Sequence, residues 1–235
     1  MAEDEQAAGA RGRRTEQAFA VGVAAHHPVQ HHDIRRLHVA RRVAKRYRKR
    51  GLDRTATRIV AFLERAGVEH ATVLEIGGGV GEIQLELLKR GAASVVNLEL
   101  SPAYDAEAQR LLREAGIDRS RVERRLHDIA DAPGDVEAAD VVVLHRVVCC
   151  YPDYERLLGA SAARARRLLV FSHPRRSILS RAFVAVQNAA MRLRGKEFRA
   201  FVHPPAAMLD VCRAQGLSPT YAHPGAMWQV EGLSR

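Results

Sequence analysis

The sequence predicts an α/β protein: a doubly wound, mostly parallel sheet that ends in a C-terminal antiparallel hairpin. Three observations predict it. From residue 52 onward short apolar runs alternate with segments of 3.6-residue periodicity. The run Val141-Val142-Val143-Leu144 is apolar at consecutive positions, as in a strand covered on both faces. Glycine closes the periodic segments at Gly67, Gly91, Gly116 and Gly216, where a helix end needs a left-handed residue.

The elements follow in order. Asp53 is a good N-cap for a helix whose apolar face is Ile59, Phe62, Leu63 and Ala66. Thr72 to Ile76 reads as a buried strand, Gly77 to Gly81 as a glycine turn and Glu82 to Arg90 as the helix behind it. Ser94 to Leu100 is the second strand. Ser101-Pro102 then caps a helix carrying Tyr104, Ala108, Leu111 and Leu112. Val122 to His127 and Ala139 to His145 are strands three and four, Asp153 to Arg166 a helix, and Leu168 to Ser172 the fifth strand. Helices over Ser177 to Arg194 and Pro204 to Gln215 precede two strands between Leu217 and Leu233, turning at Pro224-Gly225.

Composition narrows the function. With 47% apolar residues in 235, the chain buries a core without staples. Cys149, Cys150 and Cys212 form neither a disulfide framework nor a zinc spacing, which points to a reducing, cytoplasmic setting. No apolar run approaches the roughly 20 residues of a membrane span. Arg13-Arg14 ahead of Ala18 to Ala25 is too short and too broken for a twin-arginine export signal. His26, His27, His31 and His32 have no carboxylate or thiolate partner at ligand spacing except Asp33, so no metal is expected. Of the net charge of +10, residues 1–70 carry most, with 15 Lys and Arg against 8 Asp and Glu. Residues 1–34 are expected to be a flexible arm, and residues 35–235 the folded domain. Within it, Arg35 to Arg50 is expected to form a basic helix over the ligand crevice, with Tyr47 and Arg50 facing it.

In a doubly wound sheet the ligand lies beyond the carboxyl ends of the strands. The residues there are the Glu75-Ile76-Gly77-Gly78-Gly79-Val80-Gly81 turn, Glu99, Asp128 and His145-Arg146. The turn lets a ligand approach the backbone in front of a helix N-terminus. A dinucleotide fingerprint is disfavoured, because its closing glycine or alanine is here Glu82, and the absence of Gly-Lys-Ser/Thr removes a Walker loop.

Val73-Leu74-Glu75-Ile76-Gly77-Gly78-Gly79-Val80-Gly81 resembles the E/D-x-G-x-G-x-G first motif of class I S-adenosylmethionine-dependent methyltransferases. Val96 to Ser101 resembles the acidic end of that family's second strand, and His127-Asp128-Ile129 its adenine-proximal turn. The likeness covers roughly Asp53 to Phe171. It implies a Rossmann-like fold and S-adenosyl-L-methionine as cofactor. It further implies that Glu99 accepts both ribose hydroxyls, that Asp128 accepts the adenine amino group beside Ile129, and that Gly77, Gly79 and Gly81 shape the turn bordering the methionine part. Glu75 would orient that turn, with His145 at the same crevice. Gly78 stands where the family commonly has Cys or Ser, which loosens the turn.

A methyl acceptor that is a hydroxyl or thiol needs a base. The candidates are His145, Tyr151 and Tyr47, with Asp153 and His173 behind them. Leu144 to Pro152 resembles the loop of small-molecule methyltransferases and, more distantly, that of magnesium-protoporphyrin O-methyltransferases. Cys150 stands where the latter carry a His before Tyr-Pro. The loop does not match the D/N/S-P-P-Y/F pattern of enzymes acting on exocyclic amino groups of bases. Residues 177–202 are expected to cap the crevice, with Phe183 and Val186 in its roof and Arg175, Arg176 or His203 available to an anionic substituent. The leading reading is methyl transfer to a small hydrophobic or aromatic acceptor. The alternatives are an RNA or other macromolecular methyltransferase docked through the basic segment, and a cofactor-binding protein without turnover.

Overall fold

The computed structural model describes residues 31–195 and 198–235. The expected arm up to residue 30, with His26 and His27, lies outside the described residues.

Seven strands form one sheet: β1 Thr72–Ile76, β2 Ser94–Glu99, β3 Val122–Leu126, β4 Ala139–Leu144, β5 Ala165–Pro174, β6 Ser218–Pro224 and β7 Trp228–Ser234. Their order is β3-β2-β1-β4-β5-β7-β6. The pairs from β3 through β5 are parallel, and β7 runs antiparallel between β5 and β6. The chain reverses direction across the sheet between β1 and β4, and the turn after each of these strands opens on the same edge.

Alternation along the strands divides the core. Val73, Val95, Val141 and Val143 point to the face covered by α2 (Arg54–Arg65) and α3 (Glu82–Lys89). Leu74, Leu98, Val142 and Leu144 point to the face covered by α5 (Tyr154–Ala163) and α7 (Pro205–Ala214). Residues 141–144 are completely buried, as a central strand under both layers requires. Beyond α3, α1 (His31–Arg50) packs Ala40 and Ala44 against Leu111 and Leu112 of α4 (Asp105–Glu114).

Asp53 caps α2 through Oδ1, which accepts from the amides of Thr55 and Ala56 at 2.9 Å each, a contact of about 1 kcal/mol in such helices. Three elements depart from expectation. The basic helix starts at His31, ahead of residue 35. Strand β5 begins at Ala165, three residues before the expected Leu168, because Ala165 pairs with Ala139 of β4; pairing overrides the helix propensity of Arg164 to Arg167. Finally, α6 (Ile178–Leu193) buries no residue. Its apolar stripe faces outward, with Ile178 87%, Phe183 64% and Val186 69% exposed. Among the described residues no helix is long and apolar enough to cross a membrane.

Candidate active site

A cavity of about 670 Å³ opens at the carboxyl edge of β1, β2 and β4 and is closed on one side by α1, within the roughly 300–1,000 Å³ of small-molecule sites. Its floor is the turn between β1 and α3. Gly79 adopts φ 54°, and a Cβ there would meet nothing nearer than the Tyr104 ring at 3.8 Å, so the backbone stands bare toward the cavity. Gly78 has the opposite reason to lack a side chain. A Cβ would lie 2.1 Å from Nδ2 of Asn97 and 2.8 Å from the Glu75 carboxylate. The loosening expected of Gly78 is therefore corrected: glycine is what lets Asn97 and Glu75 meet beneath the turn. Gly77 lines the cavity, whereas Gly81 starts α3 and is not part of the wall.

Glu99, at the end of β2, reaches back over this floor. Its Oε2 accepts from the Gly79 amide at 2.9 Å and its Oε1 from the Leu100 amide at 2.8 Å, so two backbone dipoles orient the carboxylate. Glu75 is fully buried below, where Asn97 Nδ2 donates to Oε2 at 3.3 Å. Burial first, then the negative charge of Glu82, pushes its pKa up to about 8.

The loops after β3 and β4 form the opposite wall. Asp128 accepts from the Ala130 amide through Oδ1 and from the Tyr151 hydroxyl through Oδ2, each at 3.0 Å. Burial and the bond to Asp128 raise the Tyr151 phenol to about 12. Ile129 lies beside them, buried, and lines the cavity.

His145 lines the cavity at the end of β4, with Nδ1 3.0 Å from Ser172 Oγ and Nε2 3.7 Å from Asp53 Oδ2. Arg146, at φ 60°, extends its guanidinium to Asp53 Oδ2 at 2.8 Å and over the Trp228 ring at 4.9 Å. Burial opposes ionisation of Asp53, but the His145 ring, the Ala56 amide and the Arg146 charge together hold its carboxyl well below the usual carboxylate range.

Several expected residues lie elsewhere. Tyr47 donates its hydroxyl to Glu86 Oε1 at 2.5 Å and accepts from Lys89 at 3.2 Å. It packs on α3 outside the cavity, with its phenol raised to about 12 by burial and then by Glu86. Arg50 is not on the cavity wall either; α1 instead presents Arg36, Val39, Val43 and Arg46, a face one residue earlier in the turn. His173 is buried, its Nδ1 3.0 Å from the Pro174 carbonyl oxygen. Asp153 caps α5 through the Arg156 amide at 3.0 Å. His203 engages the Tyr151 carbonyl at 3.0 Å and stacks on Phe201. Neither it nor Arg175 or Arg176 reaches the cavity, and among the described residues of 177–202 only Phe198 does. The sequence reading missed Asp53 as a site residue, since its N-cap position explained it fully. It also missed the α1 face, for which the spacing of Arg36, Val39, Val43 and Arg46 was the available signal.

Residues 73–169 match a protein family described as a methyltransferase domain. No curated protein sequence matches the chain. Among solved structures, magnesium protoporphyrin IX methyltransferase from Synechocystis with SAH bound is similar at 20% identity and a TM-score of 0.63, over 77% of this chain and 81% of that one. The same protein with SAM bound is similar at 19% identity and a TM-score of 0.61, over 85% and 83%. An O-methyltransferase family protein from Burkholderia thailandensis is similar at 20% identity and a TM-score of 0.64, over 85% of this chain and 61% of that one.

Proposed function

We propose that this chain, whose residues 73–169 match a methyltransferase domain and whose fold resembles that of S-adenosyl-L-methionine-dependent methyltransferases, is such an enzyme and methylates a small, predominantly apolar or aromatic acceptor. The observation that carries this reading is the apolar share of the cavity wall. Beside the polar groups Arg36, Arg46, Asp53, Glu82, Glu99, Asp128 and Arg146, the wall carries Val39, Leu100 and Phe198, each about half exposed, together with Val43, Leu98 and Leu157.

The residues present fit the cofactor. Gly79 leaves the backbone open to close approach, and the Glu99 carboxylate, held by two amides, keeps lone pairs for a diol. Asp128 and Ile129 would hold the adenine end, and Gly77, Gly79 and the buried Glu75 the amino-acid end. Bound there, S-adenosylmethionine supplies an electrophilic methyl on a sulfonium sulfur. The chain's own contribution is alignment and exclusion of water. Val39 and Val43 of α1 cover the cavity from one side and Phe198 from another. Where the acceptor carries a hydroxyl, His145 takes the proton. It alone of the three candidate bases lines the cavity without a phenol held neutral, and Asp53 stabilises the imidazolium that forms.

The macromolecular reading has less support. Arg46 of α1 lies 3.7 Å from Asp53 and 3.4 Å from Glu82, and Arg48 pairs with Glu107 and Glu114 at 3.2 and 2.7 Å, so part of the basic field is matched within the fold. Incubation with methyl-labelled cofactor and a fractionated cell extract tests the choice. Label extracted with small apolar molecules is the expected result. Label retained only on RNA or protein, or no transfer to any fraction, contradicts it.

A further inference from the structure

We propose that α6 docks the protein on an anionic lipid surface, lying in the plane of the headgroups with its apolar stripe in the outer acyl region. The helix is amphipathic, yet it is turned the reverse way for a core helix. Ile178, Leu179, Ala182, Phe183, Val186, Ala189 and Leu193 fall on one side, and all are exposed. The side toward the protein carries Ser180, Gln187 and Asn188 together with Val184 and Met191, all half-buried, while the larger apolar stripe is left outside. Asn188 ties that side to the segment after the helix, its Nδ2 donating to the Ala200 carbonyl at 2.8 Å while its Oδ1 accepts from the Ala200 amide at 2.9 Å, and the next residue, Phe201, donates its amide to the Cys149 carbonyl at 2.7 Å. The outward orientation is therefore built into the fold.

Charge commits the face to one kind of occupant. At 100° per residue Arg181 and Arg192 border the stripe on one flank and Arg194 on the other, all exposed, with Arg175 and Arg176 just before the helix. No acidic residue occurs between Glu155 and Glu197, and no carboxylate pairs with these five arginines among the described residues. An apolar stripe with guanidinium groups along both borders matches a bilayer interface, where apolar side chains enter the acyl boundary and arginine stems carry their charge back to phosphate. A protein partner of complementary shape would need acids set at both borders. The helix is also too short to span, at about 24 Å for 16 residues. The loop that follows places Phe198 on the cavity rim, so docking by α6 would set that rim near the lipid surface.

Co-sedimentation of the full chain with vesicles tests this. We expect retention on phosphatidylcholine vesicles containing about one third phosphatidylglycerol, at least about tenfold above retention on phosphatidylcholine alone, and a decline with rising salt. Phe183→Ser with Val186→Ser should cut retention at least about tenfold. Both positions are exposed, so the variant keeps its fold, checked by circular dichroism. Leu126→Ser, on the exposed part of β3, should leave retention unchanged. Equal retention of wild type and the double variant, or no retention of wild type on anionic vesicles, overturns the proposal. So does light scattering that shows a dimer dissolved by the double substitution, which would give the face to a second copy.

Discussion

Tyr151 donates its hydroxyl to Asp128 Oδ2 at 3.0 Å, tying the loop after β4 to the loop after β3 across the cavity wall. A phenol held at about 12 stays protonated near neutrality and serves as a donor, so Tyr151 is a positioning residue. Removing it leaves Asp128 held by one amide.

Tyr151→Phe should therefore raise the apparent KM for cofactor by about three- to tenfold, the loss of one hydrogen bond to a charged group, with kcat within about twofold of wild type. Steady-state kinetics at saturating acceptor reads both. A kcat reduced about a hundredfold with KM unchanged would make Tyr151 the base and remove that role from His145.

Asp53 links the start of α2 to the site through His145 and Arg146. Its folded pKa is depressed, so its contribution to stability is complete above its unfolded value of about 3.9 and is lost as pH falls below that. Thermal melts from about pH 6 down to about pH 2 should show wild type losing Tm below about pH 4. Asn caps a helix as well as Asp, so Asp53→Asn removes only the charge facing Arg146 and His145; it should be less stable at pH 6 by about 1 kcal/mol and should lose less on acidification. Parallel curves for the two proteins would show that Asp53 carries none of this linkage.

Glu75 has the opposite sign. Its pKa rises on folding to about 8, so the folded state holds a proton that the unfolded chain has released above about pH 4.3, and stability falls as pH rises between those values. The slope from this group approaches about 1.4 kcal/mol per pH unit. Glu75→Gln keeps the shape and the neutral charge, and denaturant melts at pH 6 and pH 8 should show a smaller loss than in wild type. If both proteins lose stability equally over that interval, the Glu75 carboxyl is already ionised in the fold.

Much of this was legible in the residues. The alternation of apolar runs gave β1 at Thr72–Ile76 with the bounds observed, and the order of Glu75, Glu99 and Asp128 along the chain placed all three on one cavity. What periodicity does not carry is orientation. The stripe of α6 has the same spacing whether it faces a core, a crevice or solvent, and Asn188 with Ala200 decides the matter through bonds only the fold brings together. Tyr47 failed for a related reason. On α1 it stands one residue past Arg46, a step of about 100°, and that step turns it from the cavity to Glu86. Gly78 was misread because the group it avoids, Asn97, lies on the next strand.

The central claim is that the cavity at Glu99 and the glycine turn is the cofactor site, and calorimetric titration with S-adenosylmethionine and S-adenosylhomocysteine tests it most directly. Wild type should bind both with one site per chain. Glu99→Ala, folded by circular dichroism, should lose about 1.5 to 3 kcal/mol of binding free energy for each, since both ligands carry the same ribose hydroxyls. Unchanged affinity in a folded Glu99→Ala protein would contradict the account and place the cofactor elsewhere in the chain.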